Sequence, residues 1–301
     1  MAVTKAAQFR ELLGQKGILV APGAFDGLSA RLIERAGFPL IYATGGGIAR
    51  SMGYPDLGLI TMSEVITRVK DIVVATKIPV FADADTGYGN VLNVMRTVRE
   101  FETIGVAGIH IEDQITPKKC GHYENKSLIS ESEMVRKIEA AIESRSDPRF
   151  VIVARTDARS VEGFEGALRR GRRYAEAGAD MIFVEAPQSE EEIEKMPKSI
   201  PAPLVINMFK GGKTPLVSMD RLGDWGYRVA IVPSSPQLAA IRAMQQLLQI
   251  LREKGTAEPF SAEMVSFQER DVIVGYPKFQ ELEKRFLEHS RENFGSGKTN
   301  A

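Results

Sequence analysis

Phe150-Val-Ile-Val-Ala-Arg155-Thr156-Asp157 and Met181-Ile-Phe-Val-Glu185 frame a helical pattern over Val161–Ala177. Each apolar run is too short for a helix and too continuously apolar for a strand with one wet face. Such runs are buried on both faces, as parallel strands are. Between them, Glu176-Ala-Gly-Ala-Asp180 marks a helix that stops at a left-handed Gly178 and turns into the next strand. The unit recurs outward in both directions. Further strands are expected at Ile18–Phe25, Leu40–Thr44, Val80–Asp83, Gly108–Glu112, Leu204–Met208 and Arg228–Pro233, and helices over Ser63–Thr76, Asn90–Ile104 and Ser130–Arg145. Gly37, Gly105 and Gly226 end helices as Gly178 does, and Ser130 with Glu133 forms a capping box.

Eight strands alternating with helices predict a (β/α)8 TIM barrel of class α/β. The alternative is an open doubly wound sheet. It lacks its glycine fingerprint: Ala21-Pro-Gly-Ala-Phe-Asp26 follows the first strand, and Gly45-Gly46-Gly47 has no fitting continuation. Beyond the eighth strand, Gln237–Glu253, Ser261–Glu269 and Lys278–Phe294 are helical in pattern, more helix than a closed barrel needs. These extra C-terminal helices are expected to pack on a partner subunit. Residues 1–294 then form one barrel domain, and the polar residues 295–301 a disordered tail.

The composition narrows the functional class. A formal net charge of +0 gives no footprint for nucleic acid or an anionic membrane. No apolar run approaches a bilayer-spanning length, and the N-terminus lacks the layout of a secretory signal. The single Cys excludes an intrachain disulfide, so a reducing cytoplasm, or an organelle matrix, is expected.

In a barrel of this kind, chemistry sits at the C-terminal strand ends. Here those ends are polar: Tyr42-Ala-Thr44-Gly45-Gly46, Asp83-Ala-Asp85, His110-Ile-Glu112-Asp113, Arg155-Thr-Asp157, Glu185 and Asn207. Alternation puts Asp83 with Asp85, and His110 with Glu112, on one side of their strands. Carboxylates converging on one mouth repel one another unless a cation neutralises them. Asp83, Asp85 and Glu112, with Asp56 from a loop, make an all-oxygen set that suits Mg²⁺ or, as the alternative, Mn²⁺. A single such Asp is usually a helix cap or half of a surface ion pair; the clustering favours the metal. Arg155 has no evident partner on its own strand and would clamp a substrate carboxylate.

Lys118-Lys119-Cys120-Gly121-His122 follows the fourth strand. A lone Cys is most often a small buried hydrophobe. This one lies among Gly, Lys and His, where a thiol can lose its proton near neutral pH and serve as acid or base. A Schiff-base aldolase using Lys118 or Lys119 is the alternative of a different class.

The chain resembles the isocitrate lyase and phosphoenolpyruvate mutase superfamily. Tyr-x-x-Gly-Gly-Gly at 42–47, Gly-Tyr-Pro-Asp at 53–56, Asp-Ala-Asp-Thr-Gly-Tyr-Gly at 83–89, His-Ile-Glu-Asp-Gln at 110–114, Lys-Lys-Cys-Gly-His at 118–122, Ala-Arg-Thr-Asp-Ala at 154–158 and Thr-Pro-Leu at 214–216 carry the resemblance. It implies a barrel whose last helix swaps between subunits of a homotetramer. It also implies Mg²⁺ held directly by Asp83, with Asp56, Asp85 and Glu112 acting through water. A substrate carboxylate would be held by the amides of Thr44, Gly45 and Gly46 and by Arg155. The segment around Cys120 and Gly121 would be a gating loop, with Lys118, His122, Tyr42 and Glu185 joining the catalytic set, and Asn207 and Pro233 the substrate wall.

Within the superfamily the Lys-Lys-Cys-Gly-His loop resembles the lyases. Isocitrate lyases have Trp where Gly46 stands, and the smaller residue implies pyruvate as product. Methylisocitrate lyases carry Arg after the loop His, where this chain has Tyr123. The resemblance therefore implies a 2-alkylmalate such as 2,3-dimethylmalate, with methylisocitrate as the alternative. The oxaloacetate hydrolase relative has Ser where Pro233 stands, which favours lyase over hydrolase.

Overall fold

The computed structural model describes residues 3–294, and the proposed tail 295–301 lies outside them. Eight parallel strands close a barrel in sequence order. They are β1 (Leu19–Ala24), β2 (Ile41–Ala43), β3 (Val80–Asp83), β4 (Gly108–Glu112), β5 (Val151–Thr156), β6 (Met181–Val184), β7 (Leu204–Asn207) and β8 (Tyr227–Val232). The helices are α1 (Lys5–Gly14), α2 (Gly27–Arg35), α3 (Gly45–Ser51), α4 (Met62–Ala75), α5 (Val91–Thr103), α6 (Glu131–Ser144), α7 (Gly163–Glu176), α8 (Glu190–Ser199), α9 (Met219–Trp225), α10 (Ser235–Lys254), α11 (Phe267–Val274) and α12 (Tyr276–Phe294). The described residues divide after Ile241 into two compact units.

Strand parity organises the first unit. Phe81, Val151, Val153, Met181, Phe183, Val205, Val229 and Ile231 form one apolar cluster inside the barrel. Ala82, Ile109, Ile152, Ala154, Ile182 and Ile206, their odd-numbered or even-numbered neighbours, pack outward against the helices in a second cluster. Both faces of every strand are thus buried, which is why the runs carry no polar alternation. Phe9 of α1 reaches the interior cluster, its ring 6.0 Å from Phe81. Arg10 of the same helix pairs with Asp180 at 2.7 Å, just before β6, so α1 closes the N-terminal end of the barrel. Burial of each such large side chain contributes about 1.5–3 kcal/mol.

The turns behave as the sequence predicts at Gly37, Gly105, Gly178 and Gly226, all with positive φ (85°, 86°, 94° and 106°). Gly23 has a different reason: a Cβ there would lie 2.6 Å from the Pro233 carbonyl carbon, where β1 and β8 meet. Ser130 accepts from the Glu133 N–H, one half of the expected box. One helix is displaced from its expected place. Instead of Ser261–Glu269, a 3₁₀ turn occupies Glu258–Glu263 and α11 starts after Ser266, which caps it by accepting from Glu269 N–H. Among the described residues no helix is long and apolar enough to cross a membrane.

Candidate active site

The inward parity that builds the core continues one step further at the C-terminal mouth, and there the side chains become polar. Asp83 follows Phe81, Arg155 follows Val153, Glu185 follows Phe183 and Asn207 follows Val205, each two residues on. All four are less than a tenth exposed. The strands therefore deliver the site with the geometry of the core.

Asp83 accepts from the Asp85 N–H at 3.0 Å and from Tyr42 OH at 3.3 Å. Tyr42 OH also lies 2.8 Å from His110 Nε2. Burial opposes charge on Asp83, but His110, Lys118 and Arg155 outweigh it and bring the carboxyl to about 2. Burial lowers His110 to about 4, so at neutral pH the stabilising cations are Lys118 and Arg155. Asp85 leaves the strand with φ 46°, a left-handed turn that aims its carboxylate at Lys118. Lys118 Nζ lies 2.5 Å from Asp56 Oδ1 and 2.8 Å from Asp85 Oδ1.

Among the described residues no three His, Cys, Asp or Glu side chains already converge as a metal site. The Lys118 ammonium stands between Asp56 and Asp85 as their cation. Two observations nevertheless fit a divalent ion. Glu112 is wholly buried and neither of its carboxylate oxygens has a hydrogen-bond partner. Burial accordingly pushes its pKa well above the usual carboxylate range. The donor set is all oxygen, with Asp83, Asp85, Asp56 and Glu112 available once Lys118 moves aside, as Mg²⁺ prefers.

Arg155 differs from its expectation. It has a partner at the end of its own strand: Nε lies 3.0 Å from Asp157 Oδ2, besides 3.2 Å from Glu112 and 3.2 Å between Nη2 and Glu185. Glu185 is brought down to about 2, since Arg155 and His122 outweigh its burial. The glycine donors also differ in part. The Thr44 N–H is donated to Ala24 O and its hydroxyl accepts from Gly47 N–H as the cap of α3. The amides of Gly45 and Gly46 remain for a ligand. Cβ atoms there would lie 2.6 Å from Asp83 Oδ2 and 2.8 Å from Asp56 Oδ2, so glycine at both positions lets these carboxylates come close to α3. Arg50 Nη1 stands 3.2 Å from that Gly46 position, which makes the room beside Gly46 more polar than the sequence implies.

The segment 118–126 lies down over this floor. Gln114 brackets Lys119 through its amide and carbonyl, at 3.0 and 2.8 Å, and the Cys120 N–H donates to Asp56 O at 3.1 Å. His122 receives the Lys213 N–H on Nδ1 at 3.0 Å, which directs its Nε2 to Glu185 at 3.3 Å. Gly121 rests on Arg155 and Glu185. What remains between Tyr42, Cys120, Arg155, Asn207 and Pro233 is a cavity of about 60 Å³.

The Cys120 thiol corrects one expectation. It is not poised to ionise near neutral pH: burial, then Asp56, push it up to about 11, against a backbone hydrogen bond from His122. Lys118 does not offset this, because its charge is engaged by the carboxylates. Burial would lower the Lys118 amine, yet Asp85 and Asp56 hold it well above its ordinary value. A Schiff-base nucleophile must be neutral, so Lys118 is unsuited to that role. Arg50, Gln237 and Lys126 were not expected from the sequence. Gln237 accepts from Arg50 Nε at 2.8 Å and donates to Gly47 O at 2.9 Å, fixing the start of α3. Nothing local marks these residues; their partners are far away in the chain.

The sequence model of the phosphoenolpyruvate phosphomutase family matches residues 9–252. A 2,3-dimethylmalate lyase of Eubacterium barkeri is 46% identical over 93% of this chain and 98% of its own. A 2-methylisocitrate lyase of Aeropyrum pernix is 45% identical over 94% and 90%. The solved structure of an oxaloacetate acetylhydrolase with the inhibitor 3,3-difluorooxalacetate superposes with a TM-score of 0.89 at 31% identity, covering 94% of this chain and 97% of its own.

Proposed function

The chain belongs to the phosphoenolpyruvate phosphomutase family, and from this premise we propose that it is a carbon–carbon lyase cleaving a 2-alkylmalate, such as 2,3-dimethylmalate, to pyruvate and a monocarboxylic acid. One observation carries the reading: a half-buried thiol, Cys120, faces an Arg155–Glu185–His122 cluster beside the oxygen-rich corner of Asp83 and Glu112. The 46% relative's name points the same way.

Mg²⁺, with Mn²⁺ as alternative, would be held by Asp83, with Asp85, Asp56 and Glu112 through water, and would supply Lewis-acid stabilisation of charge on substrate oxygen. Arg155 and the Gly45 and Gly46 amides take the carboxylate next to the hydroxyl-bearing carbon. We assign uptake of the 2-hydroxyl proton to Glu185, which Arg155 and His122 hold ionised. The C2–C3 bond then breaks, and its electron pair stays on C3, delocalised into the distal carboxylate. Cys120 gives its S–H proton to C3, and the proton held by Glu185 returns to the sulfur through His122. Closure of 118–126 excludes water from the carbanion. We further propose a reducing compartment, the cytoplasm or an organelle matrix, and a homotetrameric assembly.

The test is pyruvate release from a panel of 2-alkylmalates, methylisocitrate, isocitrate and oxaloacetate. The expected order puts an alkylmalate first. Tyr123 stands where a cation for a third carboxylate is expected, and loss of such a contact costs on the order of 1.5–3 kcal/mol, at least tenfold in affinity. A higher kcat/KM for methylisocitrate than for every alkylmalate would move the assignment to methylisocitrate lyase.

A further inference from the structure

Lys126 lies in the polar loop but is buried, its side chain 1% exposed. Its ammonium donates to Asp157 Oδ1 at 2.7 Å and, closely, to the Gly121 carbonyl. Asp157 is fully buried and also receives Arg155 Nε at 3.0 Å and Nη2 at 3.2 Å. Asp157 is itself fixed from behind: its N–H donates to Asp113 Oδ1 at 2.9 Å, and Asp113 Oδ2 accepts from Thr156, Tyr174 and Arg170 at 2.7, 2.8 and 3.1 Å. Asp157 is thus immobile, and the loop brings Lys126 to it.

The arrangement has a consequence for the carboxylate clamp. Arg155 is surrounded by Asp157, Glu112 and Glu185, three carboxylates within 3.2 Å. A guanidinium so engaged competes poorly for a further carboxylate unless one neighbour is neutralised by another cation. Lys126 is that cation, and it is in position only when the loop is down, because the same ammonium holds the Gly121 carbonyl.

Resting on the lyase reading above, we propose that Lys126 is a positioning residue that couples loop closure to the substrate clamp. Closure sets Lys126 on Asp157, whose charge is then shared between two cations, so Arg155 stays oriented by its bonds to Asp157 yet keeps charge for the substrate carboxylate. A plain structural tether would need only the bond to Gly121; the charge on Asp157 would be irrelevant to it.

Oxalate, a small dicarboxylate, probes the clamp without turnover. Its binding to the full chain in Mg²⁺ buffer is measured by calorimetry for wild type, Lys126→Met and Lys126→Met/Asp157→Asn, with thermal melting and kcat/KM on each. Lys126→Met is expected to weaken oxalate about tenfold or more, the scale of a lost charge-assisted contact. The double variant, which removes the charge left unbalanced, should recover most of that loss. Lys126→Arg should retain more affinity than Lys126→Met. Wild-type oxalate affinity in Lys126→Met, or a double variant no better than the single one, would overturn the proposal. If Lys126→Met does not fold, the double variant decides it alone: affinity near wild type supports charge balance and weak binding overturns it. Oxalate binding and rescue in a protein that cleaves no malate would keep the coupling and remove the lyase reading; absence of oxalate binding to wild type would remove both.

Discussion

In the proposed reaction Cys120 acts as a neutral thiol, and this fixes a pH dependence. Its pKa is pushed up to about 11 by burial and Asp56. A general acid must be protonated, so its contribution is fully present below that pKa and is lost as pH rises through it. The rate of cleavage at saturating substrate should therefore stay level from about pH 7 to about pH 9 and decline only above. An ionisable nucleophile near the ordinary Cys value of about 8.5 would instead show a rate rising through that range. Cys120→Ser should keep the fold and lose cleavage by roughly 10²-fold or more; normal turnover would reduce Cys120 to a packing residue. Asp83 tests the neighbouring corner. Activity should disappear with EDTA and return with Mg²⁺ or Mn²⁺, whereas Asp83→Ala should stay folded without that response, because the residue lies at the rim and outside the apolar cluster. Full activity in metal-free buffer would reject the metal assignment.

At the scale of elements, the loop carries the most exact fit. A Cβ on Gly121 would lie 2.5 Å from Arg155 Nη2 and 2.7 Å from Glu185 Cδ. Gly121→Ala should therefore hold the loop off the floor, lowering kcat while the melting temperature stays near wild type, since 118–126 contributes little to the core. A variant with unchanged kcat would mean that this contact does not form during turnover. The strands were legible because burial on both faces leaves uninterrupted apolar runs, and their polar ends marked Asp83, Glu112, Arg155 and Glu185 by position. Asp85 was legible in identity but not in geometry, since its positive φ takes it out of strand alternation. Lys126 was not legible. A lysine in a polar loop looks solvated, and its partner Asp157 is 31 residues away. The displaced α11 failed for a local reason: the cap at Ser266 competes with the apolar spacing upstream of it.

At the scale of the whole molecule, the described C-terminal helices carry large apolar side chains that this chain leaves exposed. On α10, Ile241, Met244, Leu248 and Leu251 recur at helical spacing, and all are exposed. Farther along, Val265, Phe267, Phe279 and Leu287 are 57%, 65%, 62% and 61% exposed. Each large apolar side chain left in water forgoes about 1.5–3 kcal/mol, and exposed apolar surface of this extent favours contact with another protein surface. The C-terminal helices are the segments expected to exchange between subunits, which makes a homotetramer the predicted assembly. Sedimentation should give a mass about four times the 33.1 kDa of the chain. Leu248→Glu and Phe279→Glu place a charge where apolar contact is expected, so each should shift the protein toward smaller species while the isolated barrel keeps its circular-dichroism spectrum. A wild-type protein that sediments as a monomer at micromolar concentration would leave these helices without a partner and refute the assembly.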